Sequence, residues 1–136
     1  MTAAVVDTGI LYALFDARDQ WHERAAIFFK AHAREAVVPL TILGEVGYLI
    51  EVRLGPGGPR SLADWLSQGF VQMEGLLPQD LRRMTLLMSR YPDLGFVDSS
   101  VVAIAERLLI DTIATVDRRH FTPIRPLHAE RFTLVP

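Results

Sequence analysis

The sequence of 136 residues is half hydrophobic and only 22% charged, with a formal net charge of −2. That balance excludes an intrinsically disordered chain and a protein that grips nucleic acid by bulk basicity. Cysteine is absent, which excludes disulfide frameworks and thiolate metal sites and agrees with a reducing cytoplasm.

The length is most simply that of one domain, residues 1–136, with enough chain for a real core. Asp7 interrupts the first apolar run before a signal-peptide core can form, and no apolar run approaches membrane length. A cytoplasmic protein without a membrane segment is expected. Thirteen arginines stand against the single Lys30. Arginine suits bidentate phosphate contact, but GC-rich codon usage is the favoured explanation of the bias.

In chain order, Ala3-Ala4-Val5-Val6 reads as a buried strand, and Asp7 or Thr8 caps the helix carrying Ile10, Leu11, Leu14 and Phe15. Asp19 opens a second helix with Trp21, Ala25, Phe28 and Phe29 on one face. Ala36-Val37-Val38 is a short strand stopped by Pro39. Ile42, Leu43, Val46, Leu49, Ile50 and Leu54 then trace a long helical stripe to Gly55, the expected C′ residue. Glu45 borders that stripe, between Gly44 and Gly47, whose low helix propensity asks for a packing reason.

Gly55-Pro56-Gly57-Gly58-Pro59 is a turn between helices, without P-loop or dinucleotide-fingerprint spacing. Residues 61–68 form a short helix around Trp65 and Leu66, and residues 70–73 a strand. Pro78 starts a helix with Leu81, Met84, Leu87 or Met88, and Tyr91 on one face. After the loop at residues 91–95, Phe96-Val97 delivers Asp98 to a helix start. Val101, Val102, Ile104, Ala105, Leu108 and Leu109 mark the most regular amphipathic helix of the chain. A strand at residues 112–115 leads Asp117 into a loop, and residues 131–135 form a last strand. Helices alternating with short apolar strands predict an α/β fold with a mainly parallel sheet flanked by helices.

Asp7, Asp98 and Asp117 each follow a short apolar run, which in a parallel sheet sends them to one edge, where ligands of open α/β sheets bind. Glu45 on its helix border can reach the same cleft. Converging carboxylates repel unless cations neutralise them. Oxygen donors without Cys or paired His suit Mg²⁺ or Mn²⁺ better than Zn²⁺. Thr8 and Thr115 are placed to orient carboxylates by hydrogen bonding. Each acid also has a plain structural role available, as cap, turn former or solvated helix residue.

The segments Val5-Val6-Asp7-Thr8-Gly9-Ile10-Leu11-Tyr12-Ala13, helical Glu45, Phe96-Val97-Asp98-Ser99-Ser100-Val101-Val102-Ala103 and Ala114-Thr115-Val116-Asp117-Arg118-Arg119-His120-Phe121 resemble the motifs of the PIN-domain family. The similarity is closest to the small VapC-type toxins of bacterial toxin–antitoxin pairs and spans essentially the whole chain. It implies a PIN-like fold and an endoribonuclease toxin dependent on Mg²⁺ or Mn²⁺, acting on RNA as a homodimer and inhibited by a cognate antitoxin. It also implies Asp7, Glu45, Asp98 and Asp117 as the catalytic, metal-holding acids, with Thr8 and Thr115 in support. Arg118 and Arg119 are candidate RNA contacts or a solvated loop pair.

The four histidines lack zinc-site spacing and are assigned to surface or packing roles. Ser99 and Ser100 belong to a helix start. A receiver-like phosphoacceptor would need a lysine after a late strand, and a haloacid-dehalogenase-like phosphatase a second Asp where Gly9 stands. The remaining alternative is a PIN-fold module that binds RNA or protein with little cleavage of its own.

Overall fold

The computed structural model describes residues 3–136. Five short strands, β1 (Ala4–Val6), β2 (Ala36–Pro39), β3 (Gln72–Glu74), β4 (Thr112–Ala114) and β5 (Thr133–Val135), form one parallel sheet in the order β3-β2-β1-β4-β5. The connecting helices are α1 (Thr8–Phe15), α2 (His22–His32), α3 (Leu40–Leu54), α4 (Gly58–Ser67), α5 (Pro78–Arg90), α6 (Phe96–Arg107) and the short α7 (Arg118–Phe121). Among the described residues no helix is long and apolar enough to cross a membrane.

Consecutive apolar residues in β1, β2 and β4 reflect burial on both sheet faces. Every residue of these three strands is buried, as expected where helices cover both sides of a parallel sheet. The chain steps outward from β1 to β2 and β3, then crosses back to β4 and β5 on the other side of β1. Strand order therefore reverses between β1 and β4, the topological switch point at which open α/β sheets place their sites. Val5 pairs with Ile113 and Val6 with Ala114. That register leaves Asp7 and Thr115 as the first residues beyond two adjacent strands.

Helix α6 packs on β1 and β2 and against α3 and α5. It differs from the amphipathic helix read from its spacing, because all residues from Ser99 to Glu106 are buried. The helix stops at Arg107, and Leu109, expected on the stripe, is 75% exposed with φ +56°. Two carboxylates that the apolar stripe does not reveal are satisfied here. Glu106 accepts from Arg83 Nε at 2.7 Å, and Asp80 pairs with Arg107 Nε at 3.0 Å while accepting from Leu77 N–H at 2.8 Å.

Other boundaries shift for local reasons. Helix α4 begins at Gly58, three residues before its apolar pattern, with Pro59 in its first turn. A Cβ on Gly58 would lie 2.1 Å from Ile50 Cγ2, so glycine is what lets α4 start against α3. Strand β3 runs over Gln72–Glu74, the residues that pair with Val37–Pro39 of β2, with Val71 buried ahead of it and Phe70 half exposed. Pro39 is the last residue of β2, opposite Glu74, a strand-end position where a missing N–H is tolerated. Gly55 has φ +93° and ends α3 as read, its N–H donating to Glu51 O. Nothing lies within 4 Å of a Cβ built on Gly44, and nothing in the structure explains that glycine.

Phe28 and Phe29 are core residues, and Trp65 meets Phe15 and Phe29 edge-on at 5.8 and 5.5 Å between ring centroids. Half-buried Trp21 sits one residue before α2 with the Arg24 guanidinium 4.5 Å from its ring centroid. These aromatic side chains face neighbours within the chain.

Candidate active site

Asp7 leaves β1 at the switch point, where its N–H donates to Ala114 O across to β4 at 2.9 Å. The residue is only 5% exposed, and Oδ2 accepts from the Thr115 hydroxyl at 2.9 Å. Thr115 Oγ1 also accepts from Asp117 N–H at 3.0 Å. A hydroxyl has one proton to give and lone pairs to spare. Thr115 therefore gives its proton to Asp7 and receives one from the backbone of Asp117, holding the ends of β1 and β4 in one hydrogen-bonded unit.

Asp117 occupies the N-cap of α7, and its Oδ1 accepts from Arg119 N–H at 3.1 Å. The loop expected there is thus a capped helical turn. That turn carries His120 back over the acids, three residues on. His120 Nδ1 lies 2.9 Å from Asp117 Oδ2 and 3.2 Å from Asp98 Oδ2. One ring nitrogen thus lies within ion-pair distance of both carboxylates. Assigning His120 to the surface or to packing overlooked this contact. The signal was present in sequence as a histidine one helical turn after Asp117.

Asp98 does not follow a strand. Phe96 and Val97 are the first turn of α6 rather than an apolar run at the sheet edge, and Asp98 is the third residue of the helix. Placement in the first turn sets its carboxylate near the positive end of α6. The hydroxyls of Ser99 and Ser100 donate to the Phe96 and Val97 carbonyls at 2.8 and 2.6 Å, the helix-start role read from the sequence. With its proton so committed, Ser100 accepts from Thr41 Oγ1 at 2.6 Å. This contact was missed in sequence. It ties α3 to α6 one helical turn before Glu45, whose side chain is exposed beside the cleft.

The acids interact as a group. Burial first, and then the Asp98 charge, push the Asp7 carboxyl from 3.8 up to about 6, with Glu45 adding to the rise and the Thr115 hydrogen bond opposing it. Asp98 is also raised, by burial foremost, with Asp117 and Glu45 adding and His120 opposing. All four sequence-predicted acids therefore face one region. As arranged, no three or more His, Asp or Glu side chains among the described residues are gathered into a closed ligand set.

The Thr115 hydroxyl is hydrogen-bonded to Asp7 and to the backbone of Asp117. Thr8 is buried, and its Oγ1 has no hydrogen-bond partner, an orphaned donor and acceptor at the first residue of α1. Gly9, the next residue, is needed for close approach, since a Cβ there would lie 2.4 Å from Val116 Cγ2 beside Asp117. Both candidate RNA-contacting arginines are exposed, but they diverge. The Arg118 guanidinium donates to Pro136 O at 2.8 Å, whereas Arg119 lines a cavity that His120 also borders. A larger cavity, about 760 Å³ between α2 and α4, touches none of these four acids.

The donor set of carboxylates and hydroxyls, without sulfur, has the chemistry of a hard divalent-cation site. Nearby cationic charge would relieve the penalty on Asp7 and Asp98.

Residues 4–124 match the family model of the PIN domain. Ribonuclease VapC26 of Mycobacterium tuberculosis (strain ATCC 25618 / H37Rv) is 29% identical over 134 residues, covering 97% of this chain and 99% of that protein. The crystal structure of Mycobacterium tuberculosis VapC20, described as a sarcin–ricin-loop-cleaving toxin, superposes with a TM-score of 0.82 at 19% identity, covering 94% of this chain and 99% of that one. A toxin–antitoxin complex from Klebsiella pneumoniae superposes with a TM-score of 0.73 at 20% identity, over 90% of this chain and 92% of that one.

Proposed function

The chain belongs to the PIN-domain family, and on that premise we propose that it is the endoribonuclease toxin of a toxin–antitoxin pair, acting as one domain that hydrolyses RNA phosphodiester bonds. Asp7 carries the reading. It is a carboxylate buried beside Asp98 whose side-chain partner is the Thr115 hydroxyl rather than a basic group. An uncompensated buried acid next to a second acid is costly as structure and useful as a cation site.

PIN-domain ribonucleases of the VapC type are in general dependent on divalent metal. In this chain Asp7, Glu45, Asp98 and Asp117 would hold Mg²⁺ or Mn²⁺, with the Thr8 hydroxyl available beside Asp7. When bound, the cation supplies an acidified water and charge neutralisation at the phosphate. The protein's own contribution is positional. Thr115 keeps the Asp7 carboxylate turned toward β4 and fixes the backbone of Asp117. His120 holds the Asp98 and Asp117 carboxylates within reach of one another. The Thr41–Ser100 bond keeps α3, and with it Glu45, in register with α6. The arrangement suits in-line attack on phosphate, and the family resemblance implies 5′-phosphate and 3′-hydroxyl ends. The names of the similar proteins support an antitoxin partner, and the family supports a homodimer.

The test is cleavage of total RNA with Mn²⁺, with Mg²⁺ and with chelator, the ends being mapped by sequencing. Asp98→Asn should abolish cleavage while leaving the fold intact. Undiminished cleavage by folded, metal-stripped Asp98→Asn protein would sink the mechanism.

A further inference from the structure

A cluster of four acids repels the polyanion it is proposed to cut, so the RNA strand needs cations placed beside the acids. One cavity meets that need. It measures about 510 Å³, the size of a small-ligand site, and lies between the α5–α6 loop and α7. His120, which contacts Asp98 and Asp117, forms part of its wall. His120 is therefore common to the cavity wall and the acid cluster.

Its lining is that of a nucleotide site. Buried Leu94 and Ile124 make an apolar floor. Arg90 and Arg119 supply two exposed guanidinium groups. The Arg90 guanidinium lies 5.6 Å from the Tyr91 ring centroid, so cation and aromatic surface are presented together. The Tyr91 hydroxyl accepts from Arg125 N–H at 3.1 Å, which anchors the ring to the segment after α7. Exposed Asp93 is the carboxylate on the rim.

We propose that this cavity is the subsite for the RNA nucleotide next to the scissile phosphate. Arg90 and Arg119 take the backbone phosphate, Tyr91 supports the base or ribose, and Asp93 favours a base that presents hydrogen-bond donors. The assignment rests on the nuclease reading above and separates the two neighbouring arginines, because Arg118 is held by Pro136. Arginine forks match phosphate oxygens, and aromatic rings stack on any base. Sequence preference would therefore come mainly from Asp93.

The experiment compares the full-length wild-type protein with Arg90→Ala, Arg119→Ala, the double variant, Asp93→Asn and Arg60→Ala, an exposed arginine on α4 that serves as control. Two readouts are taken: kcat/KM for RNA cleavage with Mn²⁺, and binding of a short fluorescent single-stranded RNA in EDTA across a salt series. Each cavity alanine should lower kcat/KM about ten-fold, chiefly through KM, and flatten the salt slope of binding by about 0.7. Asp93→Asn should change the base found at mapped cleavage sites, and Arg60→Ala should change neither readout.

If the wild type cleaves and the double variant matches Arg60→Ala in both readouts, the subsite is refuted while the nuclease reading stands. If the wild type binds RNA through Arg90 and Arg119 without cleaving it, RNA binding by the cavity stands, while the nuclease reading and the placement beside a scissile phosphate are refuted. A wild type that neither binds nor cleaves RNA refutes both.

Discussion

Asp7→Asn should stabilise the protein at neutral pH in a chelating buffer, although it removes an acid proposed as essential. In the folded chain burial and Asp98 lift the Asp7 carboxyl from 3.8 to about 6. A group whose titration is raised on folding weakens the fold once it is ionised. Below pH 3.8 the carboxyl is neutral in folded and unfolded chains alike, and no penalty exists. The penalty grows as pH rises through that interval and is complete above about pH 6. At about 1.4 kcal/mol per pH unit, the displacement amounts to roughly 3 kcal/mol. Asp7 is 5% exposed, so solvent screening discounts this little. The asparagine amide retains an oxygen for the Thr115 proton. Urea denaturation in EDTA at about pH 7.5 should therefore find the variant more stable by up to roughly 3 kcal/mol, with Tm higher by about 5–10 °C, and at about pH 4 the two proteins should converge. Added Mn²⁺ should raise the Tm of the wild type more than that of the variant. A variant no more stable than wild type at neutral pH in EDTA, or a gap that persists in acid, would refute the reasoning.

Two glycines should respond in opposite directions. Gly44→Ala, in α3 with nothing within 4 Å of the new Cβ, should stabilise by about 0.5–1 kcal/mol in chemical denaturation. Gly9→Ala places a Cβ 2.4 Å from Val116 Cγ2 and should both lower Tm and reduce RNA cleavage, since Val116 adjoins Asp117. Thr115→Val keeps the shape and removes the hydroxyl that joins Asp7 to Asp117. It should cut kcat more than tenfold with little change in KM, measured on a short RNA substrate. Asp80→Ala removes one of the two carboxylates on the Arg107 guanidinium, which keeps Glu74 at 3.0 Å and the Gly75 carbonyl. It also removes the acceptor of the Leu77 N–H at the start of α5 and should cost about 2 kcal/mol of stability. Its specific activity per folded molecule should stay unchanged, separating this ion pair from the active site.

Much of the fold was legible because its signals are local. The consecutive apolar residues of β1, the α3 stripe and Gly55 at its end follow from helix and strand periodicity and from glycine's freedom at positive φ. Deviations arose where packing outweighed pattern. Helix α6 carries a regular stripe yet is buried nearly all round, and α4 starts early because Gly58 lets it press on Ile50. The α7 turn escaped notice because four residues hold too little periodicity to read.

For the site, the sequence alone determined which side chains are present: four acids, two threonines, no thiol, and motif order resembling one family. Donor chemistry depends on residue type, and that needs no coordinates. Only the tertiary structure decided how they meet. The Asp7–Thr115 hydrogen bond spans 108 residues and exists because β4, rather than another strand, pairs with β1 at the switch point. The same packing sets Asp98 on a helix start instead of a strand end, brings Thr41 to Ser100, and folds His120 over two carboxylates. Local propensity reaches a few residues along the chain, whereas strand order and helix docking are settled by burial summed over the whole core.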